Sequence, residues 1–577
     1  MTAGLPVFYG DLSRHAGAAE LVETARIHLE AAQSSSRARR DHLVSALILA
    51  GACAQGLADA VFARSGEDRI DPCVNRVMSL ACMAARLVMG WRDRRWEPAA
   101  MARARAAFEA VEGLPGEPLN IRLAEGFAFY DLRPEAYGIA ARRATAGQAL
   151  IIGLRSIGTS LAAMAAAAIG ADTPFTFRPT GHPFERRLAL EAELRRRIAA
   201  GSCPILVADE GPGISGSSFA AVPRLLEEEG AAPERAVFLT GHGRGPGLQA
   251  DAEVRRLWSR ARQVPAGDET SGWDPVLRGL AGLLGDTDIQ LRDISGGQWR
   301  AAFALPPADW PPCDPVMERR KAIVTAGSRR WILRFAGLGE EGLRKHERAR
   351  RLAAAGLGPA PVGAIHGYLV LEWIGGSPLR RPLAADVIRA ARYLGWRARA
   401  LAQSPWRGAE AGDLVAMAEH NIGLVAGTRA ATRLLSPARR TLSAEAERIC
   451  AVDGKMERWE WLRTPDGGLI KTDALDHDSA HDLVGPRDLA WDVAGLGIEW
   501  DLVPEAEDRA RVVAGREGER EVSPALVAAF RPCYLGHRIG AALLGRLRAE
   551  EAGEPEETRR HDRRLDRLVR KLAEIPL

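Results

Sequence analysis

The chain has 577 residues, 47% of them hydrophobic and 26% charged. That balance is ordinary for a globular protein and excludes a largely disordered, collagen-like or membrane-embedded chain. Lys plus Arg exceeds Asp plus Glu by only 78 − 74 = 4, too little to call for a nucleic-acid or membrane partner. At about 150 residues per domain the length predicts three to four domains. Lysine occurs only at Lys321, Lys345, Lys455, Lys471 and Lys571, so arginine carries nearly all positive charge, as expected from a GC-rich genome. Seven scattered cysteines without a CxxC pair argue against a disulfide framework or zinc knuckle and for a reducing, cytoplasmic setting. The opening MTAGLPVFYGDLSRH lacks the basic and apolar segments of a signal peptide. The most apolar stretch, Leu43 to Ala58, falls short of the roughly 18–20 residues of a membrane span and reads as a buried helix.

Residues 1–118 carry apolar residues at three-to-four spacing, as in AELVETARIHLEAAQ, and predict a helical accessory or dimerisation region. In residues 119–250 short apolar runs alternate with Ala-rich helical stretches. QALIIGL, CPILVAD and RAVFLTG are strand-like, which implies a mostly parallel α/β sheet with functional loops at the carboxyl ends of its strands. Residues 251–308 read as a connector, with ADWPPCDP as a boundary. Residues 309–577 begin with the strand-like runs KAIVTAG, RRWILRF and YLVLEWI and continue mostly as helix, interrupted by GGLIKTD. The expected fold class is therefore an α/β multidomain chain: a helical region, a parallel-sheet region and a bilobal α+β region.

Two strand-loop-helix units carry the strongest chemistry. In LIIGLRSIGTSLAAM a strand delivers Arg155, Ser156, Gly158, Thr159 and Ser160 to a helix start, where small residues, hydroxyls and helix N–H groups suit an anion. In ILVADEGPGISGSSF the strand ends in Asp209 and Glu210, followed by Gly213, Ser215, Gly216, Ser217 and Ser218. Carboxylates accept from vicinal ribose hydroxyls while a Gly/Ser loop donates to phosphate. Between the units, TPFTFRPTGHPFERRL offers the basic residues Arg178, His182, Arg186 and Arg187.

The second unit resembles the phosphoribosyl diphosphate (PRPP) motif of type I phosphoribosyltransferases, and the first resembles that family's diphosphate loop. They stand in the family's order, about 50 residues apart. The resemblance implies that Asp209 and Glu210 hold the ribose 2- and 3-hydroxyls and that Ser215 to Ser218 cradle the 5-phosphate. It implies that Arg155, Ser156, Gly158 and Thr159 face the diphosphate, usually with Mg²⁺. It also makes Arg178, His182, Arg186 and Arg187 candidates to neutralise a leaving diphosphate. The chain departs from the family in a loop one residue longer and in serines replacing threonines. With EGFAFY and RPTGHPF, the unit is similar to phosphoribosyltransferase proteins found with bacterial tellurium-resistance and stress loci.

RRWILRFAGLGEEGLRKHERARRLAAAGLGP and LEWIGG resemble the small lobe of aminoglycoside phosphotransferases and choline kinases. The resemblance puts Arg334 at the phosphate-contacting position and Glu347 on the next helix as its ion-pair partner. That family's His-Gly-Asp is absent. The best match, DGKMERWEWL, puts Asp453, Gly454 and Lys455 at the triad and Glu460 at the position of the family's asparagine. A protonated lysine does not accept a substrate proton, so ordinary phosphotransfer is expected to be impaired. Lys471 and Lys455 both fall in this segment, Asp473 takes the metal-binding position, and Asp476 lies close by. His477 and His481 share a face at i,i+4 if the segment is helical.

The reading is a PRPP-dependent phosphoribosyltransferase acting on a small molecule, with a fused divergent kinase-like region for which ATP is the expected nucleotide. The alternative is a non-catalytic PRPP- or nucleotide-binding sensor or scaffold with a pseudokinase. A second copy of the chain, meeting through the phosphoribosyltransferase-like or helical region, is the macromolecular partner considered.

Overall fold

Strand β1 (Ser13–Ala16) leads into helices α1 (Ala18–Ser34), α2 (Arg39–Ser65), α3 (Pro72–Arg92) and α4 (Pro98–Glu109), and β2 (Leu119–Arg122) returns to pair antiparallel with β1. The computed structural model describes residues 4–8, 12–36, 38–182, 184–247, 250–267, 272–303, 305–478 and 484–575. Local signals set the helix ends. Gly66 closes α2 at φ +77°, and the Asp71 side chain accepts from the Cys73 and Val74 N–H groups at the start of α3, the expected cap chemistry. The apolar stretch Leu43 to Ala58 lies within the 27-residue α2. By length and composition α2 and α3 are each apolar enough to cross a membrane. Here their buried residues join one core with the neighbouring sheet regions.

The next region contains α5 (Glu125–Phe129), α6 (Pro134–Ala144), β3 (Leu150–Leu154), α7 (Gly158–Ile169), β4 (Phe175–Phe177), β5 (Pro179–His182), β6 (Glu185–Leu188) and α8 (Ala192–Ala199). It continues with β7 (Ile205–Ala208), α9 (Ser217–Glu228), β8 (Ala236–Thr240), α10 (Ala252–Arg260) and β9 (Arg262–Pro265). The sheet is parallel, in the order β4-β3-β7-β8-β9. The period of two divides each strand between two cores: Leu206 and Ala208 face the core shared with α2, α3 and α7, while Ile205 and Val207 face α8, α9 and α10. Coverage on both faces is why these strands read as continuous apolar runs. The edge strands β4 and β9 carried no such run, and β9 falls in the range read as connector. The order reverses between β3 and β7, the position where open α/β sheets form a crevice. β5 and β6 form an antiparallel hairpin beside it.

The remainder contains α11 (Asp274–Leu284), β10 (Gln290–Asp293), β11 (Lys321–Ala326), β12 (Arg329–Phe335), α12 (Gly339–Ala354), β13 (Pro361–Ile365), β14 (Tyr368–Glu372) and β15 (Ser377–Pro378). Then follow α13 (Ala384–Ala400), α14 (Ala411–Ala426), α15 (Thr428–Ala444), β16 (Ile449–Cys450), β17 (Trp461–Arg463), β18 (Leu469–Lys471) and β19 (Arg487–Asp488). Helices α16 (Leu489–Glu499), α17 (Pro504–Glu517), α18 (Pro524–Glu551) and α19 (Pro555–Ala573) complete it. Strands β10-β11-β12-β14-β13 form an antiparallel sheet with α12 between its third and fourth strands in sequence. A helical lobe with its own core follows. This is a bilobal layout.

One boundary needs correction. β10 pairs with β11, so the small lobe begins inside the range read as connector, and ADWPPCDP lies within the β10–β11 connection rather than between domains. That connection reaches the helical lobe: Arg300 pairs with Glu557 at 3.0 Å and Asp314 with Arg548 at 2.6 Å. The signal was missed because β10, Gln-Leu-Arg-Asp, is largely exposed and polar.

Candidate functional sites

At the strand-order reversal the loops after β3 and β7 are packed backbone to backbone. A Cβ at Gly158 would lie 2.4 Å from the Ala208 carbonyl oxygen, and one at Gly153 would lie 2.3 Å from that of Gly158. Neither position accepts a side chain without moving a loop. Asp209 and Glu210 follow β7 directly and are half-buried. The Glu210 N–H donates to Asp209 Oδ1 at 2.9 Å, and Tyr137 Oη donates to the Asp209 carbonyl at 2.7 Å. Burial, reinforced by the neighbouring Glu210 charge, raises the Asp209 carboxyl to about 8. Burial raises Glu210 to about 7. Both therefore hold protons near neutrality more readily than ordinary carboxyls.

The loop from Gly213 to Ser218 ends at the N-terminus of α9. Gly216 caps that helix at φ +67°, where a Cβ would meet the Pro246 side chain at 2.6 Å, so glycine is required twice over. Ser215 Oγ lies 3.1 Å from Ser217 Oγ. Gly213 is exposed, Ser218 half-buried and Ser217 buried.

The first loop is more heavily engaged than the sequence suggested. Arg155 is buried: it donates to Asp59 at 2.9 Å, Asp68 at 2.6 Å and the Thr176 carbonyl at 2.8 Å. Thr159 pairs with the Thr176 hydroxyl at 2.8 Å, and Ser160 packs on Gly51 of α2. Arg155, Thr159 and Ser160 therefore brace the loop, whereas Ser156 is half-buried. Arg178 stands at the end of β4 and donates to Asp59 at 3.0 and 2.5 Å. Its charge also bears on Asp209. Burial leads the environment of Asp68 and raises its carboxyl to about 6 despite Arg155. Asp59 and Asp68 come from the helical N-terminal region, where no motif announced them. On the hairpin, Arg187 pairs with Glu185 and Glu228, Arg186 donates to the Pro179 carbonyl at 2.9 Å, and His182 is exposed.

The second site is the cleft between the lobes, a cavity of about 240 Å³. It holds a chain of alternating charges. Arg334 on β12 meets Asp473 at 2.6 Å and Asp476 at 2.8 Å, and Arg319 meets Asp476 at 3.1 Å. Lys455 meets Glu457 at 2.9 Å and Glu460 at 2.8 Å. Lys471 meets Glu460 at 2.6 Å and Asp453 at 3.2 Å. His477 lies 3.0 Å from Asp453 and 3.5 Å from Asp473. Burial opposes the charge on Asp453, but Lys471 and His477 hold its carboxyl well below the usual range. Burial likewise opposes charge on Lys455 and His477. Glu457 and Glu460 nevertheless hold Lys455 well above its ordinary value, and Asp473 and Asp453 lift His477 to about 9.

Glu347 does not meet Arg334. It pairs with Arg350 at 3.2 Å on the exposed side of α12, while Glu341, Lys345, Arg348 and Leu352 form the buried stripe. Two residues from Lys345 is about 200° around a helix, so Glu347 faces away. The inward cations have their own partners: Lys345 is 3.8 Å from Asp476, and Arg348 is 2.6 Å from Asp478. Asp453 also accepts from Tyr393, and Arg397 braces the carbonyls of Ala451 and Ala474. Asp492 accepts from the N–H groups of Asp453 and Gly454 at 2.7 and 2.8 Å. Trp461 and Trp491 are core residues, and Trp459 is half-buried at the cleft. His481 and Asp482 lie outside the described residues.

Glu460, Asp473 and His477 bring ligand atoms within 4.8 Å of one another. As arranged, this donor set does not fit a divalent metal. Asp473 is taken by Arg334, Glu460 by two lysines, and a protonated His477 has no lone pair to give. Asp476 is likewise taken, by Arg334 and Arg319.

No family model and no curated protein matches the chain. Among solved structures it is similar to the choline kinase of Streptococcus pneumoniae, at 17% identity over 43% of this chain and 89% of that one, TM-score 0.32. It is similar to a choline/ethanolamine kinase family protein of Mesorhizobium loti at 19% identity, over 48% and 95% of the two chains, TM-score 0.31. It is also similar to a macrolide 2'-phosphotransferase of Brachybacterium faecium at 16% identity, over 51% and 98%, TM-score 0.31.

Proposed function

We propose that the parallel-sheet region binds PRPP, as its Mg²⁺ complex, and transfers the phosphoribosyl group to a small acceptor. The observation that carries this reading is the adjacent pair Asp209 and Glu210. They sit at the end of β7, at the strand-order reversal, directly before a serine loop that opens a helix. Ionised carboxylates there would accept from ribose hydroxyls, and the start of α9 would receive the 5-phosphate. The bond between ribose C1 and the diphosphate oxygen breaks, the acceptor's lone pair forms the new bond at C1, and diphosphate leaves with the electron pair. Arg178, paired with Asp59, would meet that charge on exchanging Asp59 for diphosphate. Thermal denaturation with Mg²⁺ and PRPP tests the reading. A raised melting temperature in wild type that is lost in Asp209→Ala is expected. Its absence in wild type, or its retention in the variant, overturns the reading.

A second reading concerns the kinase-like half, which we take to bind a nucleotide phosphate without conventional phosphotransfer. Its support is Lys455, which the sequence resemblance puts at the catalytic carboxylate's position and which is held as an ammonium by Glu457 and Glu460. An ammonium cannot act as general base. No ATP-dependent phosphate transfer is expected. Transfer that vanishes in Asp473→Ala would overturn this half of the account.

A further inference from the structure

A separate cavity of about 370 Å³ lies where the helical region, the parallel-sheet region and the small lobe meet. Its walls come from α1 and α2, from the β3–α7 loop at Ser156, Ile157 and Ser160, from α12, and from Pro405 and Trp406. Most of the lining is apolar, including Leu49, Ala52, Phe127 and Leu343. Three carboxylates line it, and each already has a partner. Glu341 accepts from the Trp406 indole N–H at 2.7 Å and from Arg344 at 2.6 Å. Glu340 lies 2.7 Å from His28 Nε2. Glu20 accepts from the Gly17 N–H at 3.3 Å.

Arg14 on β1 is different. Its guanidinium carbon lies 5.4 Å from the Trp406 ring centroid, and its Nε is buried with no hydrogen-bond partner among the described residues. A buried donor without a partner costs free energy that an anionic oxygen would recover. Arg122 and Arg344 also line the chamber, and an apolar chamber with a few placed charged groups is the usual composition of a small-molecule site. We propose that this cavity binds a small, largely apolar or aromatic monocarboxylate, with its ring among Leu49, Ala52 and Phe127 and its carboxylate on Arg14. The site shares the β3–α7 loop with the first site, at Ser156 and Ser160, but touches neither Asp209 nor the interlobe cleft.

The test is calorimetric titration of the full chain with 2-naphthoate and, in parallel, its neutral amide. One naphthoate per chain is expected. Arg14→Gln should weaken naphthoate about tenfold, the scale of one charge-assisted hydrogen bond, and leave the amide unchanged. Ala52→Trp fills the chamber and should abolish binding of both. Thr24→Phe fills it from α1 if the first filling variant does not fold, and circular dichroism and melting temperature report on each fold. Failure of naphthoate to bind wild type overturns the proposal, as does undiminished binding in Arg14→Gln and a folded filling variant.

Discussion

At the residue scale the two sites differ in how they treat charge. Asp209 and Glu210 are carboxyls that burial makes reluctant to ionise. Asp209 has a folded value of about 8, above the ordinary value of about 4. The folded state therefore binds its proton more tightly, and the stability this confers is present at acid pH and lost as pH rises through about 8. Asp209→Asn should melt above wild type at pH 9, with the gap narrowing toward pH 5. PRPP affinity of wild type should rise over the same interval, because ionised carboxylates accept from the ribose hydroxyls more strongly than protonated ones. Melting curves and binding isotherms across that range check both. In the cleft, Lys471 is fully buried between Asp453 and Glu460. Lys471→Met removes one cation from each of two buried carboxylates, leaving Glu460 with Lys455 and Asp453 with His477, and should cost about 3 kcal/mol in urea unfolding, the low end for a broken buried pair. A cost under about 1 kcal/mol, the range of an exposed pair, would show that the network is not holding the lobe together.

At the element scale the β3–α7 turn is the tightest feature of the first site. Gly158→Ala drives a methyl group against the Ala208 carbonyl. It should cost about 1–3 kcal/mol of stability and separate the two loops enough to abolish PRPP binding. Wild-type binding in that variant would show that loop contact is not needed. The central strands were legible because Ile205 to Ala208 and Ala236 to Thr240 are buried on both faces and so lack polar punctuation. β10 was not legible, since its residues pair with β11 through backbone while their side chains face water. On α12 the helix was legible but its inward face was not. Glu347 was expected inward by analogy with an ion pair, whereas the stripe through Lys345 and Arg348 is fixed by Asp476 and Asp478, which arrive from a loop over 120 residues later. Likewise the acidic pair and serine loop were readable as chemistry, while the engagement of Arg155 and Arg178 by Asp59 depended on a packing partner in another region.

At the scale of the whole molecule, the helical N-terminal region is part of the first site. One core runs from α1–α3 through α7 to β11 and β12, and a second fills the helical lobe. Scanning calorimetry should therefore show two transitions, with the helical and parallel-sheet regions melting together, and Asp59→Asn should lower only that shared transition. Independent melting of residues 1–118 would contradict this. The central claim is tested most directly by equilibrium dialysis of labelled PRPP with Mg²⁺ against wild type and the Asp209→Asn, Glu210→Gln double variant. The account predicts one PRPP bound per wild-type chain and none to the folded double variant; no binding to wild type, or equal binding to both, would contradict it.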